Sequence, residues 1–239
     1  MPGVAEAGWF AYTANRGANT ISQYSIGSDG ALSPLGATTA VTNSAPWDVV
    51  VSPDARSLYA SYAGPLNAIA EFDIGADGTL TPKPGHETIA AGGTANNLAI
   101  SPDGKQLYVA NFSGDSISEY DIGAAGVLSP KLVASLPSGM GPVAFVVAPD
   151  GQTAYSANYT DGSVGFFSPL PDGGFGPTTV LFADCGGASG HPNDLRVSPD
   201  GKNLYVADDT NNICQFNVPA LSPPRPELGA GGPWGIEIA

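Results

Sequence analysis

The chain consists of one short unit repeated five times, and this repeat constrains the possible folds more than any other feature of the sequence. The copies lie 47 to 50 residues apart and begin at Tyr12 (YTANRGANTISQYSIGSDGALSP), Tyr59, Tyr108 (YVANFSGDSISEYDIGAAGVLSP), Tyr155 and Tyr205. A period of roughly 40 to 50 residues with short alternating runs and Gly-rich turns is typical of a four-stranded propeller blade. The repeat therefore predicts an all-β chain that forms a single β-propeller domain over residues 1–239.

The two ends of the sequence predict how the ring closes. Residues 233–239 (PWGIEIA) match residues 46–52 (PWDVVVS), the expected innermost strand of a blade, and stop where the next strand should follow. The strand that should follow is found at the other end, in residues 9–14 (WFAYTA). Sharing one blade between the termini would remove two open sheet edges. We therefore expect a closed ring of five four-stranded blades, with a truncated six- or seven-bladed ring as the alternative.

Charge and hydropathy narrow the range of partners. With 8 basic and 22 acidic side chains, the net charge is −14, which argues against nucleic acid and anionic membranes as partners. Apolar runs such as Val143–Ala148 have the length of a strand, far short of the roughly 20 residues of a membrane helix. The first residues, MPGVAEAG, lack the basic and apolar segments of a signal peptide, although a removed signal remains an alternative. We expect a soluble monomer with a small-molecule partner, and the compartment stays open.

Most of the acidic residues in turns, and both cysteines, have structural explanations. In the Ser/Ala-Pro-Asp turns, proline presets φ and the aspartate bonds to its own backbone. These turns contain Asp54, Asp103, Asp150 and Asp200. Cys185 and Cys214 fit no metal-binding spacing and are either free thiols or one disulfide.

Alternation along the innermost strands separates two faces with a period of two. The apolar face is expected to be buried between blades and contains Val49, Leu98, Phe145, Leu195 and Ile236. The other face is expected to point into the central channel and contains Asp48, Asn97, Asp194, Arg196 and Glu237. Arg196 and Glu237 occupy equivalent positions on neighbouring strands, which predicts an ion pair. That pair is either a structural latch or a functional site, with the arginine holding a substrate carboxylate and the glutamate acting as general base.

The starts of the innermost strands place further polar and aromatic residues at the channel mouth. Oxygen-bearing side chains that converge on a narrow axis suit calcium or magnesium, or they form a solvated polar lining. They are Asp48, Asn97, Asn193 and Asp194. Trp47 and Trp234 either form an aromatic wall for an apolar or sugar-like ligand or pack between blades. His191 precedes Asn193 and can act as acid or base near neutral pH.

The repeat also resembles a known family. The units SPDGKQLYVAN and YVAN…ISEYDIG…LSP resemble the YVTN-type repeat and the lactonase-type propellers related to 6-phosphogluconolactonase, which usually have seven blades. Residues 191–208 (HPNDLRVSPDGKNLYVAD) resemble a segment of gluconolactonase and paraoxonase propellers in which an asparagine binds a catalytic calcium. The resemblance implies that Asn193 binds the metal. The other ligands of those families do not align by motif in this chain.

Two classes of function follow. The first is a lactonase-like hydrolase that acts on a small cyclic ester or a related small molecule at the channel mouth. The second is a non-catalytic propeller that binds a small ligand or a protein partner on its loop face, and a cyclase on the same scaffold is a third possibility. For the enzyme, the predicted catalytic residues are His191, Glu237 and Arg196, the ligand-binding residues are Trp47, Asp48, Asn97, Asp194 and Trp234, and the metal ligands are Asn193 and Asp48.

Overall fold

The computed structural model describes residues 8–36, 39–40, 44–171, 174–182, 190–210, 212–218 and 228–229. Within these residues, five antiparallel sheets follow one another along the chain, each built from one copy of the repeat. Apart from two single-turn 3-10 helices, Phe112–Gly114 and Ala124–Gly126, the regular structure in these ranges is β. The all-β prediction and the repeated blade-like sheets are therefore confirmed.

The strands of each sheet form an antiparallel meander. In the second to fifth sheets it begins with the predicted innermost strand, and in the first sheet it begins with residues 9–15, which align with the second strand of the other sheets. The first sheet contains β1 (Trp9–Asn15), β2 (Thr20–Ile26), β3 (Leu32–Pro34) and β4 (Thr39–Ala40), and the second contains β5 (Ala45–Val51), β6 (Ser57–Ala63), β7 (Ala68–Ile74), β8 (Leu80–Pro82) and β9 (Thr88–Ala90). The third contains β10 (Ala95–Ile100), β11 (Gln106–Asn111), β12 (Ser116–Ile122) and β13 (Leu128–Pro137), and the fourth contains β14 (Pro142–Val147), β15 (Ala154–Asn158), β16 (Ser163–Pro169) and β17 (Phe175–Phe182). The fifth contains β18 (Pro192–Val197), β19 (Asn203–Asp208), β20 (Asn212–Asn217) and β21 (Leu228–Gly229). Because β8 and β9 both pair with β7, the second sheet is a four-stranded blade with a broken outer strand.

The Ser-Pro-Asp turns are held as the sequence predicts. The Ser52 hydroxyl donates to the Asp54 carboxylate at 2.6 Å, and the Arg56 backbone N–H donates to the same carboxylate oxygen at 3.1 Å. The same arrangement recurs at Ser101 and Asp103. The serine hydrogen bond is the main cause that lowers the pKa of both aspartates. These carboxylates therefore hold the turns between the first two strands of the second and third sheets.

The core consists of apolar clusters that lie between successive sheets. Leu98, Phe145 and Leu195 are at most 5% exposed, as predicted for the apolar face of the innermost strands. The prediction for the opposite face needs a correction at Val50 and Ala99, which share that face with Asp48 and Asn97. Val50 packs against the cluster between the second and third sheets, and Ala99 packs against the cluster between the third and fourth. A blade has a neighbour on each side, so both faces of an innermost strand are covered.

A repeated hydrogen bond links neighbouring sheets. The side chain of Gln23 on β2 accepts the backbone N–H of Leu80 on β8 at 2.8 Å. At the equivalent position of the second sheet, Glu71 accepts the N–H of Leu128 at 2.9 Å. Glu119 repeats the contact with the fourth sheet. We call these contacts the inter-sheet latches, and each one ties a middle strand to the outer strand of the next sheet.

The first sheet has one face that no described sheet covers. Leu32 on β3 is 57% exposed, whereas its counterparts Leu80 and Leu128 are 8% and 5% exposed. Trp9 is 79% exposed. A closed five-bladed ring would bury this face against the fifth sheet. Residues 233–239, which were predicted to close the ring, lie outside the described residues, so closure and blade count remain predictions.

Cys214 is disulfide-bonded, which decides the alternative that the sequence left open. The only other cysteine of the sequence, Cys185, lies outside the described residues. Within the described ranges, no helix is long and apolar enough to cross a membrane.

Candidate active site

The first strand of each sheet from the second to the fifth carries one extra residue near its start. In the second sheet, Pro46 pairs with Tyr62 and Asp48 with Ser61, so that Trp47 has no partner in the register. The same irregularity recurs once in each of the next three sheets, between Ala95 and Leu98, Pro142 and Ala144, and Pro192 and Asp194. A β-bulge of this kind bends the strand and redirects a side chain, and bulges are common beside active sites.

These bulges surround a cavity of about 300 Å³ at the start of the innermost strands. Its volume is at the lower end of the range of small-molecule sites. The lining residues are Trp47, Asp48, Asn96, Asn97, Val143, Ala144, Asn193, Asp194 and Arg196. Six predicted site residues therefore meet around one cavity. Trp234 and Glu237 lie outside the described residues, and His191 is not part of the cavity wall.

Asp48 connects two sheets across the cavity. One carboxylate oxygen accepts the N–H of Val49, and the other accepts the Asn97 amide and the N–H of Leu98, each at 2.9 Å. Burial raises the pKa of Asp48, while these hydrogen bonds and the charge of Arg196 act in the opposite direction. Asn97 continues the connection, because its oxygen accepts the N–H of Phe145 at 2.9 Å. These two side chains link the second, third and fourth sheets along the cavity wall.

Arg196 and Asp194 form an ion pair on β18. They lie two residues apart, so both side chains are on the same face of the strand. The guanidinium donates to the Asp194 carboxylate at 2.6 Å and to the Leu195 carbonyl at 2.8 Å. The predicted partner Glu237 lies outside the described residues, so the Arg196–Glu237 pair remains a prediction. The Arg196 side chain is 36% exposed and stays reachable from the cavity.

Asn193 is the bulge residue of the fifth sheet, and its side-chain nitrogen is buried without a hydrogen-bond partner. A buried polar group without a partner costs about 1–3 kcal/mol. A ligand in the cavity that offers an acceptor would recover this cost. The sequence resemblance singled out this position, and the geometry gives it an independent reason to contact a ligand.

The described residues do not fit a divalent cation in this cavity. Calcium takes 6 to 8 oxygen ligands. Of the two carboxylates present, Asp48 accepts three N–H donors and Asp194 is paired with the guanidinium of Arg196. No group of three His, Cys, Asp or Glu side chains in the described ranges is placed to hold a metal. The ion therefore remains a sequence-based prediction, and no chemical step is derived through it.

His191 lies on the rim of the fifth sheet, where two residues that the sequence analysis missed hold it. The Asp209 carboxylate accepts the His191 backbone N–H through one oxygen and contacts ring Nδ1 through the other, both at 2.9 Å. The Tyr159 ring stacks on the imidazole with centroids 4.8 Å apart, and its hydroxyl donates to Asp209 at 3.2 Å. Burial alone would raise the pKa of Asp209, but the hydrogen bonds from His191 and its charge lower it below the usual value.

Repeat alignment explains the position of these rim residues. Arg16, Phe112, Tyr159 and Asp209 each follow the last residue of the second strand of their repeat. The Tyr159 ring stacks on His191 of the next sheet. In the same way, Cζ of Arg16 lies 3.8 Å from the ring centroid of Trp47 in the next sheet. The variation of residue type at this position of the repeat is the sequence signal that points to Tyr159 and Asp209, but it does not show that they contact His191.

A larger groove of about 750 Å³ lies between the turns of the second and third sheets. It contains Asp54 and Asp103, whose carboxylates hold their own turns. The smaller cavity at the bulges is the better candidate, because it combines a cation and an unpaired amide from the fifth sheet with an aromatic ring from the second.

The fold is that of a propeller, and the cavity at the start of its innermost strands is the candidate site for a small molecule. The family model "Lactonase, 7-bladed beta-propeller" matches residues 27–134 and 98–222, and the chain belongs to this family. Membership of a lactonase family supports a hydrolase-type enzyme. No curated protein matches the sequence.

Solved structures of similar fold include a proposed 6-phosphogluconolactonase from Bacteroides fragilis NCTC 9343, with 22% identity, a TM-score of 0.82, and coverage of 98% of this chain and 70% of that one. A proposed 6-phosphogluconolactonase from Bacteroides uniformis ATCC 8492 shares 19% identity, with a TM-score of 0.79 and coverage of 96% and 71%. The periplasmic gluconolactonase of Pseudomonas aeruginosa shares 22% identity, with a TM-score of 0.76 and coverage of 90% and 67%. At these identities the likeness shows the fold.

Proposed function

We propose that this protein hydrolyses a small cyclic ester at the cavity formed by the bulges. The observation that carries the proposal is the combination, in a lactonase-family chain, of the Arg196 guanidinium and the unpaired Asn193 amide on one cavity wall. Both groups are hydrogen-bond donors. Donors fixed in a partly buried site stabilise the negative charge that develops on a carbonyl oxygen during ester hydrolysis.

The remaining residues have complementary roles in this proposal. Water attacks the ring carbonyl carbon, and its proton passes to the imidazole of His191, directly or through one bridging water. The ester C–O bond then breaks, and the proton returns to the leaving alkoxide, which gives an open-chain hydroxy acid. Trp47 packs against the carbon face of the ring, and Asp48 and Asn97 keep the wall rigid. Trp234 and Glu237 remain additional candidates from the sequence.

A panel of five- and six-membered lactones tests the proposal by pH-stat titration of the acid released. We expect turnover by the parent protein and a loss of about 100-fold or more in kcat/KM for Arg196→Gln, in line with the removal of one oxyanion donor. Asn193→Ala should lose activity in the same assay. Arg56→Gln, which removes an arginine from a turn of the second sheet, is the matched control and should keep parental activity.

Two outcomes would contradict the proposal. If the parent turns over no lactone, with or without calcium, a non-catalytic binding propeller becomes the better explanation. If Arg196→Gln and Asn193→Ala retain parental rates, hydrolysis takes place elsewhere on the molecule.

A further inference from the structure

The rim of the propeller carries a clamp around a single imidazole. Asp209 holds His191 twice, at the backbone nitrogen and at ring Nδ1, both at 2.9 Å. In return, the backbone N–H of Asp209 donates to the His191 carbonyl at 3.1 Å. A carboxylate that binds both the backbone and the ring of one residue fixes the side-chain torsions as well as the ring plane.

A second residue holds the same imidazole from the neighbouring sheet. Tyr159 follows β15 of the fourth sheet, and its ring stacks on His191 with an interplanar angle of 29°. Its hydroxyl donates to the same Asp209 oxygen that contacts Nδ1. Asp209 lies beside both rings, and its negative charge contributes, after burial, to raising the pKa of the Tyr159 hydroxyl. The phenol therefore remains a donor, and the clamp spans two blades.

We infer that Asp209 and Tyr159 are positioning residues that hold His191 as the Nδ1–H tautomer with Nε2 free to accept a proton. The inference rests on the proposed function for its catalytic meaning, because it assigns the base of that reaction. The tautomer of a histidine is set by the hydrogen bond at its other nitrogen. A carboxylate can only accept at Nδ1, so the proton is placed there and the lone pair is left on Nε2.

The position of the clamp matches this role. His191 directly precedes β18, which supplies Asn193, Asp194 and Arg196 to the cavity wall. The imidazole is 41% exposed, so water reaches it. A base that is held at the rim by two sheets keeps its distance to the cavity constant, and a misplacement of about 1 Å can cost about 100-fold in rate.

The chain offers an unusually clean measurement of the tautomer, because it has only two histidines, His86 and His191. Long-range ¹H–¹⁵N NMR spectra of the parent at alkaline pH should show one imidazole in the Nδ1–H form, and His86→Gln assigns it to His191. Asp209→Ala should convert this signal to the Nε2–H form that predominates in free histidine. An Nε2–H signal in the parent, or no change in Asp209→Ala, would overturn the inference whether or not the protein is an enzyme.

Kinetics provides the second readout. Asp209→Asn keeps the size of the side chain but can donate to Nδ1, so we expect kcat to fall on the order of 100-fold with little change in KM. Tyr159→Phe keeps the stacked ring and should lose less activity than Tyr159→Ala. Phe112→Ala, at the same rim position of the third sheet, is the matched control and should leave kcat unchanged. If the parent hydrolyses lactones and Asp209→Asn does so equally fast, the positioning role is wrong while the proposed function stands.

Discussion

The inter-sheet latch at Glu71 leads to a quantitative prediction, because the chain itself contains its neutral counterpart. Glu71 is 1% exposed and accepts the N–H of Leu128 in the next sheet at 2.9 Å. Gln23 makes the equivalent bond to Leu80 at 2.8 Å without a charge. Glu71→Gln should therefore keep the latch and remove the buried carboxylate, whereas Glu71→Met removes the charge and the acceptor together.

The magnitude follows from the group that loses its partner. Leu128 is 5% exposed, so its backbone N–H has no water to replace Glu71 in the Met variant. An unsatisfied buried donor costs about 1–3 kcal/mol. For a domain of this size, 1 kcal/mol shifts Tm by about 2–4 °C. We therefore expect Glu71→Met to melt about 2 to 12 °C below Glu71→Gln.

The charge adds a dependence on pH. Burial is the main cause that raises the pKa of Glu71, and the hydrogen bond from Leu128 and the charges of His86 and Lys83 only partly oppose it. The folded protein thus holds this proton more tightly than the unfolded chain, and stability that is present at low pH is lost as the pH rises through the folded pKa. The advantage of Glu71→Gln over the parent should accordingly grow from acid towards neutral pH.

Thermal and urea unfolding of the three proteins at several pH values tests this reasoning. Gln23→Met repeats the loss of an acceptor at a latch that carries no charge, and should be destabilised at all pH values alike. Equal melting temperatures for Glu71→Gln and Glu71→Met would refute the idea that the latch stabilises the interface.

Two further predictions concern ions and the disulfide. Since the carboxylates of the cavity are already engaged, we expect calcium and magnesium to leave Tm unchanged in differential scanning calorimetry; a rise that Asn193→Ala with Asp48→Ala abolishes would instead establish an ion site, because ligand binding stabilises by mass action. Reduction of the disulfide of Cys214 should destabilise the fold by about 2–4 kcal/mol, measured as a lower urea midpoint with dithiothreitol, and an unchanged midpoint after complete reduction would contradict this.

The sequence predicted the parts of the fold that depend on residues close together in the repeat. The repeat period predicted the five sheets. The innermost strands were predicted to begin near Trp47, Asn193 and the positions aligned with them, and each begins within two residues of the predicted position. It also named six residues of the cavity wall, because the alternation of side chains along a strand is local.

The remainder depends on contacts between residues that lie 18 to 50 positions apart in the chain, which alternation does not encode. Asp48 was expected in the channel as a ligand, but its oxygens are occupied by donors at Asn97 and Leu98 of the next sheet. The partners of His191 were missed for the same reason, since Tyr159 and Asp209 come from two different repeats. A pattern identifies the face on which a residue lies, and only the packing of neighbouring sheets shows what it meets there.

At the bulges of the innermost strands, the choice of side chain in the cavity is independent of the strand pairing that holds the sheet together. Trp47, Val143 and Asn193 are structurally equivalent, yet one is aromatic, one aliphatic and one an amide. Each is the extra residue in its strand, so exchanging it leaves the pairing of the flanking residues intact. Substitutions at these positions can therefore change the chemistry of the cavity one sheet at a time, while the hydrogen bonds between the strands stay the same. Directed evolution of a new ligand preference would best begin at these positions.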